Sequence, residues 1–286
     1  MKKEGIKEVA FRFIFLFTAL VSVAAVILIC GFIFANGIPT IGKIGPMQFL
    51  LGKTWNPANN FYGILPMILG SIYVTAGAII VGVPIGILTA VYLAEYASDK
   101  VHKIAAPAID LLAGIPSIVF GFFGLVVIVP VMQSIFHNNG KGMLTASVLL
   151  GLMILPTIIT TAESSLRAVP GMYMEGSLAL GATKERSIFR AKFPAARSGI
   201  LSGVILGIGR AIGETMAVIM VCGNQAIMPK SITSGIRTMT ANIVLEMGYA
   251  SGLHQEALIA TAVVLFVFIL IINLCFSAVK SKAVKE

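Results

Sequence analysis

Arg210 and Glu214 stand at i, i+4 inside the long apolar stretch 198–222, and they are the pair best placed to do chemistry. An ionised side chain at the centre of a bilayer costs about 2.5–3.5 kcal/mol, so something must compensate for each of them. On a continuous helix the spacing puts both on one face, where they can satisfy each other as a structural ion pair. In the second reading the planar, permanently charged donor fork of Arg210 meets a passing oxyanion, while Glu214 orients it or holds it when the path is empty. Gly203, Gly207, Gly209 and Gly213 surround the pair, and small residues at such spacings allow close helix approach at a subunit interface. Glu163 and Arg167 repeat the spacing where another apolar stretch ends, and read as an interfacial pair. Asp110, close to Gly114-Ile115-Pro116-Ser117, reads as a local cap or pair with no substrate role.

Other chemistries lack their residues. A phosphate-cradling loop needs G-x-x-x-x-G-K-[ST] so that backbone amides and a Lys wrap consecutive phosphates. Gly52-Lys53-Thr54 comes nearest, but Met47 occupies the position of the earlier glycine. Cys30, Cys222 and Cys275 fall in apolar stretches and form neither a disulfide framework nor a metal-ligand spacing. His102, His137 and His254 lie on different connecting segments and read as surface or interfacial residues. No nucleophile, base or metal ligands share a locus, which argues against an intramembrane enzyme and for a chain with no catalytic residue, metal or cofactor of its own.

The elements that must position Arg210 and Glu214 follow from composition. Of 286 residues 57% are apolar and 12% charged, and the mean hydropathy is +0.96. That describes an all-α integral membrane protein whose solvent is lipid. About six transmembrane helices are expected, at 11–35, 64–93, 104–135, 144–163, 198–222 and 256–279. The first is too long for a cleaved signal and reads as a retained helix. The third is interrupted by Gly114, Pro116, Gly121 and Gly124, which predicts a break or a strong tilt. Lys and Arg accumulate on one face, in residues 2–12, 100–103, 167–197 and 280–285, whereas Lys43, Lys53, Lys141, Lys230 and Arg237 fall on the other. The richer face, with both termini, is therefore assigned to the cytoplasm. The net charge of +9 needs no nucleic acid, since no recognition element collects it.

Residues 1–63 then form an N-terminal helix and external loop, 64–279 a core, and 280–286 a cytoplasmic tail. The outer segment 36–63, with Trp55, Asn56, Asn59 and Asn60, reads as an ordered external loop. A second outer segment, 223–255, carries Asn224, Gln225, Arg237, Asn242, Glu246, His254 and Gln255 amid apolar residues. The cytoplasmic segment 164–197 is the longest and most charged on its face.

Within that segment, Glu175-Gly176-Ser177-Leu178-Ala179-Leu180-Gly181 is followed by Lys192-Phe193-Pro194. This resembles the EAA loop of ABC importer permeases, E-A-A-x-x-x-G followed by I-x-L-P. Glu175, Gly181 and Pro194 match, while Gly176, Ser177, Ala191 and Phe193 replace the usual alanines and aliphatics. Further blocks, Tyr92-Leu93-Ala94-Glu95-Tyr96-Ala97, 112–125, 207–217 and 239–249, resemble the PstC family of phosphate-importer permease subunits over about residues 63–275.

The resemblance implies the type I ABC importer permease fold and one half of a pore. It further implies a homologous second permease of the PstA type, two cytoplasmic ATPase subunits that hydrolyse the ATP, and an external phosphate-binding protein. Glu175, Gly181, Arg186 and Pro194 would couple to the ATPase, and Arg210 and Glu214 would line the path of phosphate. The implied location is a bacterial or archaeal plasma membrane. A sulfate, molybdate or tungstate permease remains an alternative. A secondary transporter would also accommodate the helices and the ion pair, but it has no ATPase to dock a long cytoplasmic loop.

Overall fold

The computed structural model describes residues 6–285, and side chains are described for residue 8 and residues 11–278. Lys2 and Lys3 lie outside the described residues, and only the backbone is described at Lys7, Lys280, Lys282 and Lys285. Among the described residues, six helical stretches are long and apolar enough to span a membrane: Phe11–Ile44, Leu65–Glu95, Ser117–Phe136, Met143–Arg167, Lys184–Gly213 and Leu253–Ala278.

Helix α1 (Ile6–Ile44) runs nine residues past its expected end because its C-terminal half packs on α13 (Leu253–Lys285). At Gly37 the two backbones come so close that a Cβ would lie 2.4 Å from a Val263 methyl. Phe34 meets Phe266 edge-to-face, and Lys43 pairs with Glu256 at 2.9 Å. After α2 (Pro46–Leu51), a small hairpin of β1 (Trp55–Asn56) and β2 (Phe61–Tyr62) pairs Trp55 with Tyr62. Gly52, half of the rejected phosphate-loop reading, is instead a contact glycine: a Cβ there would meet Gln48 O at 2.2 Å and Gly63 Cα at 2.7 Å.

The membrane core is built around α7 (Met143–Arg167), which lies between α3 (Leu65–Glu95) and α10 (Phe193–Gly213). In lipid the hydrophobic effect does not drive helices together, so close packing must. Small residues supply it: Gly77 faces Ser147 and Gly82 faces Gly151 and Ile154 on one flank, while Gly199 and Gly203 face Ser165 and Thr161 on the other. Leu149, Leu150, Met153, Ile154 and Ile158 of α7 are fully buried as a result.

Two expected spans are broken. The third, expected at 104–135, is two separate pieces. An amphipathic α4 (Asp99–Gly114), capped by the Ser98 hydroxyl, ends before Pro116, which lacks an amide hydrogen and holds Ile115 extended. The crossing itself is α5 (Ser117–Phe123), a π-helical turn at Gly124–Ile128, and α6 (Val129–Phe136). The fifth begins earlier than expected, with α9 (Lys184–Ser187) and a π-helical turn at Ile188–Lys192 leading into α10. It stops at Gly213, and a separate α11 (Met216–Val221) follows. The loop expected at 164–197 is correspondingly shorter and holds one helix outside the spans, α8 (Met172–Ala179). On the opposite face α12 (Met239–Met247) precedes α13.

Candidate translocation pathway and coupling surface

The break after Gly213 decides the geometry of the charged pair. Glu214 has extended backbone (φ −69°, ψ 132°), so its side chain leaves the face on which Arg210 stands. The expected i, i+4 ion pair does not form. Instead one carboxylate oxygen of Glu214 accepts the amides of Thr215 at 3.1 Å and Ala217 at 3.2 Å, capping α11. The Thr215 hydroxyl donates to Gly213 O, and the Thr240 hydroxyl of α12 donates to Glu214 O at 3.2 Å. A helix break at membrane depth is tolerated only when its freed backbone groups find such partners.

Arg210 is left half-buried on α10 and makes no ion pair or hydrogen bond among the described residues. The surrounding glycines divide into two sets. Gly203 and Gly207 pack within the chain, against Thr161 and Ile158 of α7, which corrects their expected place at a subunit interface. Gly209 and Gly213 face open space.

On the face expected to be cytoplasmic, α8 buries none of its residues, and Glu175 is exposed upon it. Met172, Tyr173, Leu178 and Leu180 are exposed too, Leu180 at 91%. Gly181 then turns the chain with φ +83°, and a Cβ there would meet nothing within 4 Å. The glycine is therefore required by its backbone conformation rather than by close approach. Thr183 caps α9 by accepting the Arg186 amide, and the Ser187 hydroxyl lies 2.9 Å from that of Ser177, tying α9 to α8. The Arg186 side chain is exposed, as is Pro194, which opens α10 where its missing amide hydrogen does no harm.

Glu163 and Arg167 form the expected pair at 2.8 Å, and His102 joins them from α4 with Nε2 2.6 Å from the same carboxylate. Asp110 lines the adjoining 330 Å³ cleft without a partner among the described residues.

A second knot lies on the opposite face. Glu246, 6% exposed, receives Trp55 Nε1 at 2.9 Å, Arg237 Nη1 at 2.5 Å and His254 Nε2 at 2.8 Å. Arg237 also donates to the Asn224 carbonyl and the Asn242 side chain. His102 and His254, expected as surface or interfacial residues, are partners of buried carboxylates. The available signal was each isolated carboxylate in an apolar segment, which demands a partner; its identity was not legible, because the partners are far off in sequence.

Residues 82–284 match a family model described as the binding-protein-dependent transport system inner membrane component. The chain is 37% identical over 278 residues to the probable ABC transporter permease protein YqgH of Bacillus subtilis, across 93% of this chain and 90% of that one. It is 34% identical over 261 residues to the phosphate transport system permease protein PstC of Mesorhizobium japonicum, across 84% and 80%. A solved bacterial ABC transporter involved in the import of the acidic polysaccharide alginate shares the fold, with a TM-score of 0.62 at 14% identity over 98% of this chain and 99% of that one. The type I ABC importer permease fold implied by the EAA-like loop is the one observed.

Proposed function

The chain belongs to the family of binding-protein-dependent transport system inner membrane components, and on that premise we propose that it is the permease subunit of an ATP-driven phosphate importer, forming half of the pore. It is a multi-pass protein of the bacterial inner membrane, with both termini assigned to the cytoplasm by the Lys and Arg distribution. The relatives are transport permeases rather than enzymes, and PstC names recur among them. ATP is hydrolysed on separate subunits.

The observation that carries the reading is the guanidinium of Arg210, unpaired among the described residues, on a membrane helix. Left alone there it is costly, and an oxyanion that enters the pore relieves that cost by accepting a bidentate contact. One such contact attracts the anion without trapping it. Glu214 serves the path by holding the helix break open beside Arg210 rather than by neutralising it.

Three kinds of partner complete the machine: a homologous permease of the PstA type, two cytoplasmic ATPases and an external phosphate-binding protein. Glu175 and the exposed apolar residues of α8 seat in the ATPase, the left-handed turn at Gly181 sets the angle to α9 and Arg186, and Pro194 starts the helix that carries Arg210.

The test is phosphate uptake by the complete importer in proteoliposomes. Arg210→Gln reduces uptake more than about tenfold at unchanged assembly, and Arg210→Lys restores only part of it, because a point charge replaces a fork. Wild-type uptake by Arg210→Gln at equal abundance overturns the role of Arg210. Uptake that excess sulfate, molybdate or tungstate suppresses, and phosphate does not, overturns the assignment of the anion.

A further inference from the structure

The last turn of α3 is where the cytoplasmic loop is fastened to the membrane core. Arg167, ending α7, donates through Nη2 to the Leu93 carbonyl at 2.9 Å. Lys184, the first residue of α9, donates to the Glu95 carbonyl at 2.8 Å, and its ammonium lies 4.7 Å from the centroid of the Tyr96 ring. Lys192, the last residue of the π-helical turn, forms an ion pair with the Glu95 carboxylate, N···O 2.5 Å. Helix C-termini carry free carbonyls and partial negative charge, which explains why cations gather there. It does not explain why the Glu95 and Lys192 side chains are only 8% and 15% exposed. A buried ion pair is a poor device for stability, and its best attested use is to fix the register of two elements.

The two elements are α3 and the segment that leads from the coupling surface into α10. Helix α8 buries nothing and packs chiefly on α9 and the π-helical turn. A push on α8 reaches the core at Met174, which packs against Leu93 and its neighbours, and through residues 184–192, where the polar cross-connections to α3 lie. From there one route continues along α10, and the other crosses Lys184 and Lys192 to α3. Because α3 and α10 flank α7, driving α10 alone would shear it past the Gly199 and Gly203 contacts. Driving both flanks moves them about α7 together. The π-helical turn, a form frequent at functional positions, ends at the residue that makes the cross-connection.

We propose that Glu95 and Lys192 are positioning residues that carry the displacement of the coupling segment into α3, so that ATP binding opens the pore through both flanking helices. The inference rests on the reading of this chain as a permease seated on an ATPase. The pair touches neither substrate nor nucleotide.

The experiment uses the complete importer in proteoliposomes with Glu95→Gln, Lys192→Gln, Lys184→Met and the exchange Glu95→Lys with Lys192→Glu. Phosphate uptake and ATP hydrolysis are measured together, and amide hydrogen exchange is followed at residues 91–97 and 172–187 with ADP and with a non-hydrolysable ATP analogue. Glu95→Gln and Lys192→Gln keep at least half of the stimulated hydrolysis but lose at least about fivefold in phosphate moved per ATP. Lys184→Met, at an exposed position that folding tolerates, loses about twofold. The charge exchange recovers most of the ratio, which a merely structural pair would not move. In the wild type both segments respond to the nucleotide; in Glu95→Gln only 172–187 does. An unchanged uptake-to-hydrolysis ratio in Lys184→Met and Glu95→Gln, or an equal response of 91–97 in Glu95→Gln, overturns the proposal. A wild-type complex that hydrolyses ATP but moves no phosphate overturns the substrate assignment, and the exchange measurement still decides the role of Glu95.

Discussion

The indole of Trp55 donates to the carboxylate of Glu246 at 2.9 Å across 191 residues of sequence, both side chains buried. That bond joins the hairpin after α2 to the end of α12, and Arg237 and His254 complete the shell around the same carboxylate. Helix α12, which carries Thr240 onto the break at Glu214, is therefore held at its start by the bond from Thr240 and at its end by Glu246.

Removing the centre of this knot strands a buried cation. Glu246→Ala lowers stability by about 3–5 kcal/mol, because Arg237 loses its charged partner, whereas Trp55→Phe costs about 1–3 kcal/mol for one bond to a charged group. Thermal unfolding in detergent gives the order. Trp55 is the sole tryptophan, so its emission should also move to longer wavelength in Glu246→Ala; unchanged emission and stability would contradict the knot.

Since Arg210 and Glu214 do not pair, neutralising one leaves the other no worse off. Arg210→Gln with Glu214→Gln should show a coupling below about 0.5 kcal/mol in assembly stability, as for independent positions. Uptake stays low in the double variant. Restored uptake at equal membrane abundance, with the binding protein saturating, would remove Arg210 as an anion contact.

Gly181 tests conformation against bulk. With φ +83° and open space beside it, Gly181→Asn is nearly silent, because Asn visits the left-handed region, while Gly181→Val weakens ATPase docking at least tenfold. Co-purification of the ATPase and its stimulated turnover are the measurements. Equal losses in the two variants would mean that the ATPase surface, not the turn, requires glycine.

The glycines of α10 should separate likewise. A Cβ at Gly203 would lie 2.9 Å from Thr161 Cβ, so Gly203→Leu forces α10 off α7 and costs about 1–3 kcal/mol or more. Gly209→Ala meets nothing and leaves folding unchanged, within about 0.5 kcal/mol. Its effect, if any, appears on pairing with the second permease, which pull-down of that subunit reads.

The membrane class, the six crossings and the break near Pro116 were legible in the sequence, because hydrocarbon thickness sets the length of an apolar run and proline removes a backbone donor whatever its neighbours. The segment proposed to couple to the ATPase could be picked out too, since Glu175, Gly181 and Pro194 lie close along the chain. What sequence spacing could not supply was the partner of each charge. The i, i+4 rule held for Glu163 and Arg167, where the helix continues, and failed for Arg210 and Glu214, where tertiary contacts from Thr240 stabilise an extended residue in place of another helical turn. Glu246 found Trp55, and Glu95 found Lys192, because a buried carboxylate must be satisfied by whatever the packing of distant helices brings within reach, and that is decided only when the chain has folded.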